Sequence, residues 1–143
     1  MKWRIITTGK PSLAWARDAA DVYEKRIRRF ATLSIIPLKT GADVSAYLRA
    51  SEGCFRIALD ERGLSLTTQA FYGRVMAWEQ EGMKEVAVWI GGSDGFGGAV
   101  GPHVDLTLRL GEFTLMHELA LVIWLEQVYR VYTLKEHIPY HRP

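Results

Sequence analysis

The residues Val86-Ala87-Val88-Trp89-Ile90, followed by Gly91-Gly92-Ser93-Asp94-Gly95-Phe96-Gly97-Gly98, decide the fold. Five consecutive apolar residues predict a strand that is buried on both faces, as in a parallel sheet covered by helices. Five glycines in the next eight positions remove Cβ atoms where the chain leaves the sheet. Glycine allows positive φ and close approach of the backbone, and ligands bind at the carboxyl ends of strands in open α/β sheets. The stretch therefore predicts a binding loop after a central strand.

Strand and helix signals alternate on both sides of this stretch. Predicted strands cover residues 3–8, 31–38, 54–59, 86–90 and 106–110, and predicted helices cover about 12–30, 44–50, 67–82 and 116–134. The predicted helix caps are Ser12, Asp43, Thr67 and Thr114, because their side-chain oxygens can accept from free N–H groups of a first turn. Residues 60–63 are predicted to form a turn. The order predicts one α/β domain over residues 1–143, a three-layer sandwich with a mostly parallel sheet.

Composition predicts a globular protein of the cytoplasm. Apolar residues make up 48% of the 143 residues and charged residues 24%, which is ordinary for a globular domain. The longest apolar run, Leu119 to Leu125, is far too short to span a membrane. Met1-Lys2-Trp3-Arg4 leads directly into a predicted strand, so we expect no secretory leader. Cys54 is the only cysteine, which excludes an internal disulfide.

Positive charge is concentrated near the N-terminus. Residues 1–30 contain eight Lys/Arg and three Asp/Glu, whereas the whole chain has a net charge of only +2. Two interpretations remain open at this point. The basic residues form either a solvated helix face or a surface for a polyanion.

The last predicted helix is apolar around its whole circumference between Leu119 and Leu125. Such a helix cannot keep one side in water. One side can pack on the sheet, and the other side is predicted to pack on the same helix of a second subunit in a two-fold homodimer. Glu126 and Arg130 have the spacing of an ion pair on a helix surface.

Familiar catalytic motifs are missing from most of the chain. The glycine loop has neither the lysine of a P-loop nor the spacing G-x-G-x-x-G. Cys54 opens a strand and is expected to be buried rather than nucleophilic. His137 and His141 are separated by Pro139, so we predict no metal site there. The last seven residues, His137 to Pro143, combine an imidazole, a phenol and a guanidinium. They are either a frayed end or a segment that covers the glycine loop of a partner subunit.

Several short motifs occur in a specific order along nearly the whole chain. They are Tyr23-Glu24-Lys25-Arg26-Ile27, Leu59-Asp60, Ile90-Gly91-Gly92 with Gly95, Thr114-Leu115-Met116-His117, Glu126-Gln127-Val128-Tyr129-Arg130 and Pro139-Tyr140-His141-Arg142. In this order and spacing the chain resembles the RlmH family, small methyltransferases of the SPOUT superfamily that modify a pseudouridine in bacterial 23S rRNA.

The resemblance implies an α/β fold with a deep C-terminal trefoil knot, a homodimer, S-adenosylmethionine as cofactor without a metal, and methyl transfer to N3 of a pseudouridine in an rRNA hairpin. The implied cofactor residues are Leu59, Gly91, Gly92, Gly95, Gly111, Glu112, Phe113, Thr114, Leu115 and Met116. The implied catalytic residues are His117, Tyr140, His141 and Arg142, the last three from the partner subunit. The expected RNA-binding residues are Lys25, Arg26, Arg28, Arg29 and Arg130.

The expected chemistry centres on the nucleophile. An N3–H imide must lose its proton before the nitrogen attacks well, and a nearby cation stabilises the imide anion. We assign that charge to Arg142, with His141 as a candidate proton acceptor and Tyr140 as a residue that orients the base. Met116 and Leu121 depart from the proline and arginine expected in the family. Two alternatives therefore remain: a SPOUT methyltransferase for a different RNA, and a ribosome-associated module that binds nucleotide without catalysis.

Overall fold

The computed structural model describes residues 1–96 and 98–143. The strands are β1 (Lys2–Thr8), β2 (Thr32–Leu38), β3 (Phe55–Ser65), β4 (Glu85–Ile90) and β5 (Leu106–Arg109). The helices are α1 (Ala14–Ile27), α2 (Val44–Ala50), α3 (Thr68–Gln80) and α4 (His117–Lys135), and a single 3-10 turn covers Gly101–His103.

The described strands form one sheet in the order β2-β1-β4-β3-β5, and every pair is parallel. This confirms the predicted parallel α/β arrangement. The strand that precedes the glycine loop, β4, lies in the middle of the sheet, and its residues Val86 to Ile90 are all buried. Because neighbouring parallel strands end at the same edge, the chain segments after β1, β3, β4 and β5 meet there.

Side chains of β4 alternate between two apolar clusters, which places the clusters on opposite faces of the sheet. Val86, Val88 and Ile90 belong to a large cluster with residues of α1, α3 and α4. Ala87 and Trp89 belong to a smaller cluster that includes Tyr47 of α2 and Val100. The three-layer description and the trefoil knot stay predictions.

A hydrogen bond inside the large cluster fixes α4 against β1. The Trp3 Nε1–H donates to the Tyr132 hydroxyl at 2.9 Å, and both side chains are almost completely buried. Burial raises the pKa of Tyr132 to about 12. The phenol therefore remains protonated at neutral pH.

Strand β3 is longer than predicted, and the predicted turn over residues 60–63 is wrong. The register between β3 and β5 shifts at this point, because Leu59 and Leu64 both align with Leu108. The extra residues form a bulged extension of β3 rather than a reversal of the chain. Within it, a Cβ atom added to Gly63 would lie 2.6 Å from the backbone carbonyl carbon of Leu108. Only glycine fits where this extension passes β5.

Two of the predicted helix caps are confirmed. The Asp43 carboxylate accepts from the Ala46 N–H at the start of α2 (3.1 Å). The Thr67 hydroxyl oxygen accepts from the Ala70 N–H at the start of α3 (3.0 Å).

The other two predicted caps, Ser12 and Thr114, are wrong. Helix α1 follows Leu13 without a capping side chain, and the Ser12 hydroxyl donates instead to a carboxylate of α4. Helix α4 follows Met116, also without a capping side chain. At the start of α1 a tertiary contact thus replaces the local hydrogen bond that the sequence pattern indicated.

Candidate cofactor cleft and C-terminal segment

A cleft of about 80 Å³ lies between the start of the bulge in β3 and the segment that follows β5. It is lined by Leu59, Asp60, Glu61, Arg109, Leu110, Gly111, Phe113, Leu115 and Ala120. Four of the residues predicted to bind the cofactor therefore come together here, namely Leu59, Gly111, Phe113 and Leu115. The predicted residues Gly91, Gly92, Gly95, Glu112, Thr114 and Met116 are not part of the cleft wall.

The glycine loop after β4 forms a tight turn. The Gly95 N–H donates to the Gly92 carbonyl oxygen at 2.9 Å, and Gly95 has a φ of +66°. A Cβ atom on Gly91 would lie 2.9 Å from the Gly95 carbonyl carbon. Glycine at position 91 thus allows the backbone there to approach the backbone of Gly95 closely. Gly97 lies outside the described residues.

Tyr47 of α2, which belongs to the smaller apolar cluster, fixes the start of this loop. Its hydroxyl donates to the Ile90 carbonyl oxygen at 2.9 Å and also pairs with the Thr8 hydroxyl. These hydrogen bonds therefore fix the path of the backbone where it leaves β4.

The segment 111–116, which joins β5 to α4, is open to solvent. Phe113 is 87% exposed and Met116 is 43% exposed. Large apolar side chains at such exposure commonly mark a surface that another molecule covers. A cofactor in the cleft or a second subunit would each cover this segment.

The carboxylate of Glu118 lies at the start of α4, beside His117. It accepts from the Ser12 N–H (2.7 Å), the Ser12 hydroxyl (2.9 Å) and the Leu13 N–H (2.9 Å), and Glu118 is only 6% exposed. These hydrogen bonds hold the pKa of Glu118 below its usual value, and the bond from the Leu13 N–H has the largest effect. Sequence analysis did not single out Glu118, because an acidic residue in the first turn of a helix is already explained by its favourable interaction with the helix dipole.

The C-terminal segment folds back on α4 rather than fraying. The Tyr140 hydroxyl donates to Glu126 Oε1 at 3.1 Å, and the Arg130 guanidinium lies 4.8 Å from the centre of the Tyr140 ring. Arg130 also pairs with Glu126, which confirms the predicted ion pair. The segment is therefore held in a defined place.

This place is distant from the cleft of the same chain. Thirteen residues of α4 separate His117 from Arg130, which corresponds to about 20 Å along the helix axis. The structure therefore brings Tyr140 and His141 together with Glu126 and Arg130, and does not bring them to His117 within one subunit. Arg142 is exposed at the end of the segment.

The contact between Arg130 and His141 defines the tautomer of the imidazole. The Arg130 guanidinium carries only donors, so His141 Nδ1, at 3.2 Å, must accept the hydrogen bond. In the neutral ring the proton then lies on Nε2. In this arrangement His141 offers a hydrogen-bond donor at Nε2, and its role as a proton acceptor stays a prediction. Burial raises the pKa of Tyr140, so its phenol also remains a donor.

The basic residues at the end of α1 and just after it are partly paired with acidic residues of the helix. Lys25 pairs with Asp21 at 2.9 Å, and Arg28 pairs with Glu24. The Arg26 guanidinium lies 5.5 Å from the ring centres of Tyr23 and Tyr129. Arg29 is exposed. The contacts of Lys25 and Arg28 are those of a solvated helix face, which leaves Arg29 as the most available cation of the group.

A second cavity, of about 240 Å³, lies between α3, α4 and the end of β5. Its lining residues are Ser65, Leu66, Thr67, Thr68, Phe71, Leu108, Arg109, Leu110, Gly111, Ile123, Trp124 and Gln127. Only Gly111 among them was predicted to bind the cofactor, although this cavity is larger than the cleft. Among the described residues, Arg109 Nε and Trp124 Nε1 are buried without a hydrogen-bond partner. Arg109 therefore lies between two cavities, and the sequence contained no signal for it.

Within residues 1–96 and 98–143, no group of three or more His, Cys, Asp or Glu side chains is arranged to hold a metal ion. No helix in the same part of the chain is long and apolar enough to cross a membrane.

The fold is similar to that of a solved methylase. A structure described as a probable methylase family protein from Haemophilus influenzae Rd KW20 superposes on 99% of this chain and 70% of that chain, with a TM-score of 0.63. The sequences are only 13% identical, so this likeness concerns the fold alone. The chain thus shares its overall fold with this probable methylase family protein.

Sequence comparison identifies the family. The family model described as a predicted SPOUT methyltransferase matches residues 1–141. The chain is 43% identical over its full length, and the relative's full length, to a ribosomal RNA large subunit methyltransferase H of Thermus thermophilus. It is 37% identical to the protein of the same name from Deinococcus radiodurans, with 99% of both chains covered. The chain belongs to the SPOUT methyltransferases, in the family of ribosomal RNA large subunit methyltransferase H.

Proposed function

We propose that the protein transfers a methyl group from S-adenosylmethionine to N3 of a pseudouridine in large-subunit rRNA, as a homodimer with a knotted C-terminal region. The observation that carries the proposal is the full-length similarity to the Thermus methyltransferase. The shared length includes the candidate cofactor cleft and the C-terminal segment. The Met116 and Leu121 departures lie beside the cleft and within α4.

The cleft has walls that suit this cofactor. Leu59, Leu110 and Phe113 provide apolar surface for a flat heterocycle, and the carboxylate of Glu61 suits a positive charge. Both carboxylate oxygens of Asp60 accept from the Arg62 guanidinium, at 2.9 and 3.0 Å, which holds the pKa of Asp60 below its usual value. When bound, the cofactor supplies a methyl group on a positively charged sulfur. These residues would bind and orient it, and no metal is required because the leaving group is neutral.

A second subunit would complete the site. Within one subunit, the C-terminal segment contacts α4 at Glu126 and Arg130, about 14–20 Å along the helix axis from His117. Two α4 helices packed antiparallel around a two-fold axis would place the segment of each subunit near His117 of the other.

The exposed side chains support this pairing. Helix α1 packs against α4 and covers part of its surface. A half-exposed stripe that includes Leu119, Val122 and Glu126 remains on α4. Trp15 of α1 is 49% exposed and Val22 is 44% exposed. These side chains offer apolar surface for a second copy.

The C-terminal segment would supply the groups that face the nucleotide. The Arg142 guanidinium would stabilise the imide anion formed at N3, and Tyr140 would orient the base. Since His141 Nδ1 accepts from Arg130, His141 would donate from Nε2 to an oxygen of the base. The proton from N3 would then leave to solvent rather than to His141.

The test combines cofactor binding with a search for the product. We expect the purified protein to bind S-adenosylmethionine in a calorimetric titration, and to methylate ribosomes from a strain that lacks it. Mass spectrometry of the rRNA should show one additional methyl on a pseudouridine. A matched rRNA with uridine at that position serves as the control and should remain unmodified. Methylation of another RNA would favour the first alternative, and cofactor binding without transfer would favour the non-catalytic module.

Binding of the RNA should depend on salt. If Lys/Arg side chains contact phosphates, the logarithm of the binding constant should fall linearly with the logarithm of salt concentration, by roughly 0.7–0.9 per phosphate contact. Arg29→Gln should reduce this slope by about one contact. Arg74→Gln, an exposed arginine on α3, is the matched control and should leave the slope unchanged. Filter binding between 50 and 200 mM salt, a range of roughly fourfold, measures both. A binding constant that does not change with salt concentration would show that the basic residues of α1 do not contact RNA phosphates.

A further inference from the structure

Glu118 joins the segment between β1 and α1 to the start of α4, where Leu115 and Ala120 line the candidate cleft. We infer that it is a positioning residue: its carboxylate holds the segment between β1 and α1 against the first turn of α4, and so sets the position of His117 and of the segment 111–116. This inference rests on the proposed function, because it assigns a role within the same site.

Both oxygens of the carboxylate are used in this contact. Oε1 accepts from the Ser12 N–H at 2.7 Å and the Leu13 N–H at 2.9 Å, while Oε2 accepts from the Ser12 hydroxyl at 2.9 Å. Hydrogen bonds to a charged, buried acceptor are stronger than those between neutral groups. Three donors from one short segment therefore fix that segment relative to α4.

The partner segment lies at the carboxyl edge of the sheet. Strand β1 pairs with β4 in register, from Lys2 opposite Glu85 to Ile6 opposite Trp89. The residues after β1 therefore leave the sheet beside the glycine loop. The Gly9 N–H donates to the Leu38 carbonyl oxygen at 2.7 Å, and this fixes the other end of the segment to β2.

The start of α4 has no local device of its own. Met116 provides no capping side chain, and the preceding segment is exposed at Phe113. The first turn of a helix leaves N–H groups without intrahelical partners and has no fixed direction unless something anchors it. The Glu118 contact supplies such an anchor one residue after His117.

The groups that face the carboxylate are few among the described contacts. From the segment before α1 they are Ser12 and Leu13, and from α4 the titratable group is His117, whose Nε2 lies 3.9 Å from Oε2. The hydrogen bonds favour the ionised carboxylate. The contact is therefore present at neutral pH and is lost as the pH falls through the lowered pKa of Glu118.

The test compares two carboxylate-to-amide variants. Glu118→Gln keeps the size of the side chain but removes its charge and one of its acceptors, and we expect about tenfold weaker binding of S-adenosylmethionine with the KM for RNA unchanged. Glu85→Gln is the matched control. Glu85 accepts from Arg4 at 2.7 Å at the opposite edge of the sheet, so the cofactor affinity should remain that of the wild type. Ser12→Ala removes one of the three donors and should weaken cofactor binding by about threefold.

The pH dependence of amide chemical shifts, measured by NMR, distinguishes a positioning role of Glu118 from a general loss of stability. In the wild-type protein the Ser12 and Leu13 amide signals should shift together as the pH is lowered through the titration of Glu118, and the His117 amide should follow. In Glu118→Gln the three signals should not titrate together. If Glu118→Gln does not fold, Ser12→Ala decides the same question through the Leu13 and His117 signals.

The outcomes separate the inference from the proposed function. If the wild-type protein binds the cofactor and transfers methyl, while Glu118→Gln or Ser12→Ala does so equally well, the inference is overturned and the proposed function stands. If the wild-type protein neither binds the cofactor nor transfers methyl, the proposed function fails. The NMR titration then still decides whether Glu118 sets the position of His117, and amides that do not respond to it overturn the inference.

Discussion

Gly63→Ala is expected to lower the free energy of unfolding by about 3 kcal/mol and the melting temperature by about 10 °C. The added Cβ atom would lie 2.6 Å from the Leu108 carbonyl carbon and 2.7 Å from the Leu108 nitrogen and the Thr107 carbonyl carbon. All three are backbone atoms of β5, so no rotation of a side chain can relieve the overlap. The bulged extension of β3 would have to separate from β5, at the wall of the larger cavity. Thermal and urea unfolding measure the effect.

Gly73→Ala is the matched control for this experiment. Gly73 lies on the exposed side of α3, and nothing lies within 4 Å of its added Cβ atom. Alanine in a helix is favoured over glycine by roughly 0.5–1 kcal/mol. The same chemical change should therefore stabilise the protein at position 73 and destabilise it at position 63. Equal melting temperatures for the two variants would show that the extension does not pass β5 as closely as described.

Arg142→Ala is expected to lower kcat by about 100- to 1000-fold, the usual cost of removing a group that stabilises charge in a transition state. Its affinity for S-adenosylmethionine should stay unchanged, because the guanidinium would act on the imide anion of the RNA. Arg142→Lys should recover part of the activity, since the charge remains but the planar donor array does not. Single-turnover methyl transfer and a cofactor titration measure the two quantities separately. An Arg142→Ala protein with the wild-type rate would exclude Arg142 from the reaction.

Mixed dimers test whether Arg142 acts across the subunit interface. When His117→Ala and Arg142→Ala subunits are combined, one of the two sites in a mixed dimer contains both intact residues if the site is shared. Activity should then rise above that of either homodimer. If each site were built from one subunit, both sites of the mixed dimer would lack a residue, and activity would not recover.

Much of the fold could be predicted because it depends on local pattern. The uninterrupted apolar run of β4 predicted a strand buried on both faces, and the structure places it at the centre of a parallel sheet. Asp43 and Thr67 were recognised as caps, because an N-cap hydrogen bond joins residues only two or three positions apart. The ion pair between Glu126 and Arg130 could be predicted for the same reason.

The candidate site was predictable only in part. The family resemblance implied that Leu59, Gly111, Phe113 and Leu115 belong to one site, and they do line one cleft. Spacing could not show that Arg130 would contact His141 Nδ1. That contact depends on how the C-terminal segment packs against α4.

The sequence by itself determined the order of strands and helices, the central position of β4, the glycine loop that follows it and the family. These features follow from the apolar periodicity, the local backbone freedom of glycine and the spacing of motifs along the chain. Only the tertiary structure decided that Ser12 binds Glu118 instead of capping α1, that β3 continues through Gly63 past β5, and that the C-terminal segment folds back on α4. Each of these contacts joins residues that are far apart in the chain. Tertiary packing decides which acceptor lies within hydrogen-bond distance of a given donor, and local sequence does not contain that information.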